Sequence, residues 1–190
     1  MKSLLSLCLS TIAFLFASGC ALSPQKVVLD PELQVSSSSF GEGVNITLVV
    51  KDERASNELG RRGMGMAKID IEQNLANLIR EKVTSGLERK GFTIVNSKEN
   101  SSKTLVIELR ALDYKTSVGF WTGGVHITGA LKAESTSESS DYSEFYRVES
   151  EKRVMLNPTA KENQRLLNEG LTDLLRKLFE DKELFDFLGQ

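Results

Sequence analysis

The sequence predicts a single α+β domain in which an antiparallel-rich sheet carries two helices on one face, in the element order β-α-β-β-β-β-α. Two segments of residues 44–190 have apolar residues at helical spacing. Five shorter segments are rich in β-branched residues or alternate apolar with polar side chains. The region between the first and last of these segments is long enough to bury one core of ordinary size.

The first half of this region predicts one strand and one helix. The run VNITLVV at 44–50 is dense in β-branched residues and indicates a buried strand. The polar, glycine-bearing stretch KDERASNELGRRGMGMAK that follows is predicted to be a loop. At 69–91 apolar residues recur every three or four positions, and Gly91 stands where a helix would end, so this segment is the first helix. Its apolar face consists of Ile71, Leu75, Leu78, Ile79, Val83 and Leu87.

Four strands are predicted after Gly91, at 92–95, 104–116, 124–134 and 143–156. Residues 104–116 and 124–134 are expected to pair as an antiparallel hairpin, and the charged segment 143–156 is expected to form an outer strand. In 104–116 the alternation indicates a strand with one buried side. It sets Leu105, Ile107, Leu109 and Ala111 against Glu108, Arg110 and Tyr114.

A second helix is predicted at 160–181, with Thr159 as its N-cap residue. The segment KELFDFL at 182–188 is expected to be a short final turn. Both helices should supply one side of a single core, because each has one apolar face. The residues expected in that core are Leu75, Leu78, Ile79, Leu171, Leu174 and Leu178.

Residues 1–19 have the three parts of a bacterial export signal. Lys2 supplies the positive charge, and the apolar run LLSLCLSTIAFLF is too short for a comfortable membrane span, which needs roughly 20 residues. Small residues then lead to a cysteine whose thiol can accept a diacylglyceryl group before cleavage. The arrangement resembles the lipobox of bacterial lipoproteins, although Leu is favoured where Ala17 stands. The predicted cleavage flank and lipid site are Ala17, Ser18, Gly19 and Cys20.

The alternative interpretation is an ordinary signal peptide with an unrelated cysteine at its cleavage site. With a lipid on Cys20, residues 20–43 are predicted to be the lipidated N-terminus and a flexible tether, because they contain two prolines and the run SSSSFGEG. Residues 44–190 are then the periplasmic domain. In enterobacterial-type lipoproteins an Asp after the lipidated Cys retains the protein in the inner membrane. Ala21 therefore predicts the outer membrane, with the domain facing the periplasm by default.

The residue inventory argues against several function classes. The formal net charge is −2 and Lys and Arg are not clustered, which argues against nucleic acid as a partner. The only His is His126, and the two Cys are Cys8 and Cys20, so a zinc site of the usual kind cannot be built. His126 is interpreted as a structural strand residue. The Gly63-Met64-Gly65 turn lacks the third glycine of a dinucleotide site. We therefore predict no catalytic residue, metal or cofactor, and no enzymatic activity.

Two pairs of residues are candidate contact sites. Phe120 and Trp121 occupy the turn GFWTGG between two predicted strands, and exposed aromatic residues are common at interaction hot spots. The alternative is that both rings fold back and are buried. Asp52 and Arg54 lie two positions apart at a strand end, where they either hold the following loop by hydrogen bonds or contribute to a binding site.

The order of several segments resembles that of the YajG-type family of uncharacterised bacterial lipoproteins. These segments are the lipobox, VVKDERASNELGRR, LERKGFTIV, LVIELRALDYKT and the C-terminal LFDFLGQ. The most recognisable local piece is formed by Asp52, Arg54, Leu59 and Gly60. The resemblance spans essentially the whole chain after the signal. It implies an envelope lipoprotein, and it brings no catalytic residues with it.

Two functions follow as hypotheses. The first is a lipid-anchored envelope protein whose domain is a non-enzymatic binding or structural module, attached to the membrane through Cys20 and contacting an envelope protein of unknown identity. The second is an auxiliary lipoprotein of an envelope transport system that carries or contacts lipid or a small molecule. The second hypothesis requires an apolar cavity between the sheet and the helices.

Overall fold

The computed structural model describes residues 23–62, 65–118, 123–137, 140–154 and 158–190, and it has the predicted single-domain α+β fold. The strands are β1 (Gln25–Val27), β2 (Asn45–Asp52), β3 (Glu58–Arg62), β4 (Ala67–Ile71), β5 (Thr93–Val95), β6 (Lys103–Val118), β7 (Gly123–Thr136) and β8 (Asp141–Val154). The helices are α1 (Leu75–Arg89), α2 (Ala160–Glu180) and α3 (Lys182–Gly189). A 3₁₀ turn at Lys98–Asn100 follows β5.

The prediction of an antiparallel-rich sheet is wrong, because four of the seven described strand pairs are parallel. The eight strands form one mixed sheet with β6 at its centre. One edge of β6 pairs with β2 and then, at Tyr114, with β3, and both pairings are parallel. Its other edge pairs with β7 in the predicted antiparallel hairpin, and β8 follows β7. Parallel pairing arises because the chain runs through β3, β4 and α1 before it returns beside β2 as β5 and β6.

The predicted element order is also wrong, because four strands and not one precede the first helix. The glycine-bearing segment predicted as a loop contains β3 and the first two residues of β4, and these two strands pair as an antiparallel hairpin. Ile71, predicted on the helix, belongs to β4, and α1 begins at Leu75 with Asn74 as its N-cap. Both strands are only five residues long, and their pairing with β6 and β1 comes from distant segments. A local pattern does not report such pairing.

Much of the predicted tether packs against the domain. Strand β1 runs parallel to β4, and Val27 and Leu29 are fully buried. The Gln73 side chain accepts from the Leu29 N–H at 2.5 Å and donates to the Leu29 carbonyl at 2.9 Å. Farther along, the Gly41 N–H donates to the carbonyl of Lys90 after α1. This part of the predicted tether is therefore folded onto the domain, because Val27, Leu29 and Val35 are buried and several of its backbone groups bond to distant residues.

A β-bulge in β6 changes which side chains of this strand face the core. The register with β7 shifts between Leu109 and Ala111, so that Leu109 and Leu112 both face inward. Tyr114, predicted on the polar side of the strand, is consequently only 1% exposed. Ala111, predicted on the apolar side, is only partly buried.

The three helices pack on one face of the sheet and share one core with it. Thr159 caps α2 as predicted, with its hydroxyl accepting from the Glu162 N–H at 3.2 Å. The six leucine and isoleucine residues predicted for the helix side of the core are all buried. The predicted final turn is the helix α3. No helix in the described part of the chain has the length and apolar character needed to cross a membrane.

Candidate functional site

Most of the predicted site residues lie outside the described residues. The lipid site and its flank, Ala17, Ser18, Gly19 and Cys20, precede the first of them, Ser23. Phe120 and Trp121 belong to the connection between β6 and β7, which is likewise outside them. Their roles stay predictions from the sequence.

Asp52 and Arg54 form a bidentate ion pair at the end of β2. The Arg54 Nε and Nη2 atoms each donate to an Asp52 oxygen at 2.8 Å, and the Arg54 backbone N–H adds a bond of 3.3 Å. Partial burial favours the protonated carboxyl, but the hydrogen bonds and charge of Arg54 outweigh it and lower the pKa of Asp52. The Arg54 side chain is only 5% exposed, and its Nη1 has no hydrogen-bond partner among the described residues.

This ion pair holds the loop that leads from β2 to β3. The Glu53 N–H, between the two charged residues, donates to the carbonyl of Leu109 on β6. At the far side of the loop Leu59 is fully buried, and Gly60 lies so close to β6 that a Cβ atom would be 1.8 Å from the Tyr114 carbonyl oxygen. The motif formed by Asp52, Arg54, Leu59 and Gly60 is therefore explained by the close packing of β3 against β6. A contact role for Asp52 and Arg54 stays a prediction.

A groove of about 950 Å³ lies between the N-terminal segment and α2. Its charged groups are largely paired with one another along the helix. Arg165 binds Glu162 and Glu169, and Arg176 binds Asp173 and Glu180. Such pairs three and four positions apart are typical of a solvated helix surface. We conclude that the charged side chains of α2 in this groove largely neutralise one another.

The face of the sheet opposite the helices carries an exposed aromatic ring. Phe145 on β8 is 47% exposed, although its neighbours in the same phase of the strand are polar. The Lys132 ammonium and the Arg147 guanidinium lie 5.8 and 5.9 Å from the centre of its ring, which is cation–π distance. We call Lys132, Phe145 and Arg147 the outer-face cluster. Sequence reasoning missed it, although an aromatic residue in the polar phase of a charged strand is a visible signal.

The interior between the sheet and the helices is closely packed where the structure describes it. A Cβ atom at Gly170 of α2 would come within 2.6 Å of the Ile127 side chain on β7. A Cβ atom at Gly129 would lie 3.0 Å from Val148 and 3.1 Å from Leu174. At these two positions side chains fill the space between the sheet and α2 in which the second functional hypothesis places a cavity.

The described residues contain no group of three or more His, Cys, Asp and Glu side chains that could hold a metal ion. His126 lies on β7 with its ring half exposed, and its Nε2 is 3.4 Å from Glu151 on β8. This pair is a cross-strand contact on the outer face of the sheet.

The family model described as an uncharacterized lipoprotein matches residues 31–189. The chain belongs to this family, the YajG family of lipoproteins. The resemblance drawn from the order of its segments is therefore confirmed. Comparison with curated proteins gives no significant match.

Two of the solved structures that resemble this YajG-family chain share its fold. A protein from Xanthomonas campestris is 14% identical, with a TM-score of 0.53, and the match covers 80% of this chain and 92% of that one. A Helicobacter pylori protein described as a homolog of a neuraminyllactose-binding hemagglutinin is 11% identical, also with a TM-score of 0.53. That match covers 85% of this chain and 98% of the other. At these identities the likeness extends to the fold alone, and neither description names an enzyme.

Proposed function

We propose that this protein is a non-enzymatic lipoprotein that is anchored in the outer membrane through a lipid on Cys20 and binds an envelope protein through its outer-face cluster. Membership of a lipoprotein family supports the anchor. The observation that carries the binding role is the half-exposed ring of Phe145 between two cations, on a sheet face that the described helices leave open.

The chemistry of the outer-face cluster suits a protein partner. Aromatic residues and Arg are enriched in protein interfaces, where a few such residues contribute most of the binding energy. Charged groups of both signs lie on the same sheet face as the Phe145 ring. Lys132 pairs with Glu134, and Glu149 and Glu151 on β8 are exposed. A surface with one aromatic centre and a rim of both charge signs matches a non-obligate interface better than a lipid-facing patch.

The anchor is tested in growing cells with radiolabelled palmitate and membrane fractionation. Cys20→Ser should abolish palmitate incorporation and leave unprocessed precursor. The wild-type protein should sediment with outer-membrane markers, and Ala21→Asp should move it to the inner membrane. Palmitate uptake by Cys20→Ser would show that the lipid site is wrong, and inner-membrane fractionation of the wild type would refute the sorting argument.

The binding role is tested with a photo-crosslinking amino acid at Ser143, which is exposed on β8 in the same phase as Phe145. We expect one discrete adduct in intact cells that Phe145→Tyr retains and Phe145→Ser abolishes. The matched control places the crosslinker at Thr172, which lines the groove beside α2 on the other side of the molecule. An adduct that survives Phe145→Ser, or the same adduct from Thr172, would contradict a partner bound at the outer-face cluster.

A further inference from the structure

The chain enters the fold a few residues after the predicted lipid site. The Ser23 carbonyl accepts a hydrogen bond of 2.8 Å from Arg62 Nη2, and β1 begins at Gln25. Only three peptide steps separate Cys20 from Ser23, and they span about 10 Å at most when fully extended. A lipid on Cys20 would therefore hold this point of the domain close to the bilayer surface.

The point of entry lies at one defined end of the sheet. Gln25 pairs with Ile69 in the middle of β4, and Ser23, two residues before Gln25, is bonded to Arg62 at the end of β3, next to the β3–β4 turn. Strand β3 runs parallel to β6, so the C-terminal end of β6 lies on the same side. The start of β7 at Gly123 pairs with the end of β8 at Val154, which places both there as well. We call this the anchored end, defined by Ser23, Arg62, Met66, Gly123 and Val154.

Buried polar contacts fix the N-terminal segment at the anchored end. Arg62 is only 6% exposed, although its guanidinium is charged. The Tyr114 hydroxyl donates to Asn163 Oδ1 of α2 at 2.6 Å, and the side-chain amides of Asn163 and Gln25 lie 2.6 Å apart. Burial raises the pKa of Tyr114 to about 12, so this hydroxyl stays a donor at neutral pH. Strands β1 and β6 and helix α2 are thus joined where the chain comes from the lipid.

The surface chemistry of the anchored end fits phospholipid headgroups. Met66 is 57% exposed at the β3–β4 turn, which places an apolar side chain in solvent. The exposed basic side chains at this end of the sheet and of α2 are Arg61, Lys68, Lys115, Lys152, Arg153 and Lys161. The acidic side chains of the same region are Glu58, Asp113, Glu151 and Glu162, and Glu58 pairs with both Arg61 and Lys68. Basic residues next to an apolar side chain are favourable at an anionic membrane interface.

The opposite end of the sheet lies far from the anchor. Strand β6 has 16 residues, and at about 3.3 Å per residue it is about 50 Å long. Its first residue, Lys103, donates to the carbonyl of Leu188 in α3, and the turn at Ser137 and Ser140 is at the same end. We infer that the anchored end of the domain contacts the lipid bilayer and that Met66 lies at the headgroups. The turn at Ser140 then lies about 50 Å from the bilayer surface. The inference rests on the proposed lipid at Cys20.

This orientation is tested with fluorescent probes on single cysteines. The protein without residues 1–19 has no cysteine other than Cys20, which the lipid occupies, so an introduced thiol is labelled selectively. Met66→Cys, Phe145→Cys and Ser140→Cys are labelled with an environment-sensitive dye. The full lipidated protein is then reconstituted in liposomes of phosphatidylethanolamine and phosphatidylglycerol that contain a spin-labelled headgroup quencher.

We expect several-fold stronger quenching at Met66→Cys than at Ser140→Cys, and little quenching at Phe145→Cys. Equal quenching at all three positions, or the strongest signal at Phe145→Cys, would overturn the upright orientation. Flotation of the wild-type protein with the liposomes separates this failure from failure of the anchor. A wild-type protein that does not float would refute the lipid at Cys20, and the orientation would fall with it.

Charge reversal tests the headgroup contact at the same position. Lys115→Glu together with Arg153→Glu should lower the quenching at Met66→Cys at least twofold, because both exposed cations lie at the anchored end. The matched control is Arg89→Glu together with Lys182→Glu, which changes two exposed cations elsewhere and should leave the signal unchanged. A signal that both double variants leave unchanged would overturn the headgroup contact.

Discussion

The hydroxyl of Tyr146 donates a hydrogen bond of 2.6 Å to Asp181 Oδ2, which joins the last long strand to the start of the last helix. Tyr142, four positions earlier on β8, donates to the same oxygen. The other carboxylate oxygen of Asp181 accepts from the Leu184 N–H and so caps α3. One side chain therefore fixes both the position of α3 on the sheet and its first turn.

Asp181→Asn should lower the free energy of unfolding at pH 7 by about 1–3 kcal/mol, because two tyrosine hydroxyls lose a charged acceptor. Partial burial favours the protonated carboxyl, but the hydrogen bonds from Tyr142, Tyr146 and the backbone lower the pKa of Asp181 below its ordinary value. The stability that this carboxylate contributes is therefore complete above the ordinary pKa of an unfolded-state Asp, and it is lost as the pH falls through the lowered pKa of the folded state. Urea unfolding between pH 7 and pH 2 measures both effects.

The control for this prediction is Asp186→Asn, which changes an exposed carboxylate on the same helix. It should leave the unfolding curve nearly unchanged at pH 7. If Asp181→Asn and the wild-type protein lose stability in parallel below pH 4, the carboxylate does not contribute as described.

Arg54→Met should lower the free energy of unfolding by about 1–3 kcal/mol, because it leaves the partly buried Asp52 carboxylate without its partner. The control Arg61→Met breaks a pair in which the arginine is half exposed, and it should cost less than about 1 kcal/mol. Urea denaturation compares the two variants. Unchanged stability in Arg54→Met, together with loss of a crosslinked partner, would favour the contact role over the loop clamp.

Leu174→Ala should lower the free energy of unfolding by about 2–5 kcal/mol, because Leu174 is fully buried and contacts the sheet at Gly129. Leu78→Ala on α1 should act in the same direction. Thr172→Ala, two positions from Leu174 and beside the surface groove, is the matched control and should change the melting temperature little. Melting curves by circular dichroism check all three, and an unchanged curve for both leucine variants would remove these helices from the core.

Trp121 is the only tryptophan, so its fluorescence reports on the connection between β6 and β7. If Phe120 and Trp121 form a contact site, the emission of the isolated protein should lie near the free-indole maximum and be quenched by iodide. Phe120→Ser should leave that exposure unchanged. Blue-shifted emission that resists iodide would show that the ring is buried and would exclude the contact role.

Local signals predicted the helices and the later strands well. Thr159 and Gly91 mark a helix start and a helix end through backbone chemistry of a few residues, and both positions are as predicted. The site was less predictable. Phe145 drew no prediction, because its exposure depends on which face of the sheet the helices leave open. Tyr114 was placed on the wrong side of its strand, because the bulge before it is set by pairing with β7.

The sequence by itself determined the family, the spacing of the helical faces and the β6–β7 hairpin, and it predicts the export signal, since each depends on residues close together in the chain or on their order. Only the tertiary structure decided that the sheet is mixed, that β1 docks on β4, and that Asp181 meets Tyr146 from 35 positions away. These features depend on partners brought together by the whole chain. A local pattern shows which side of a strand is apolar, but the segment that covers that side is decided by packing.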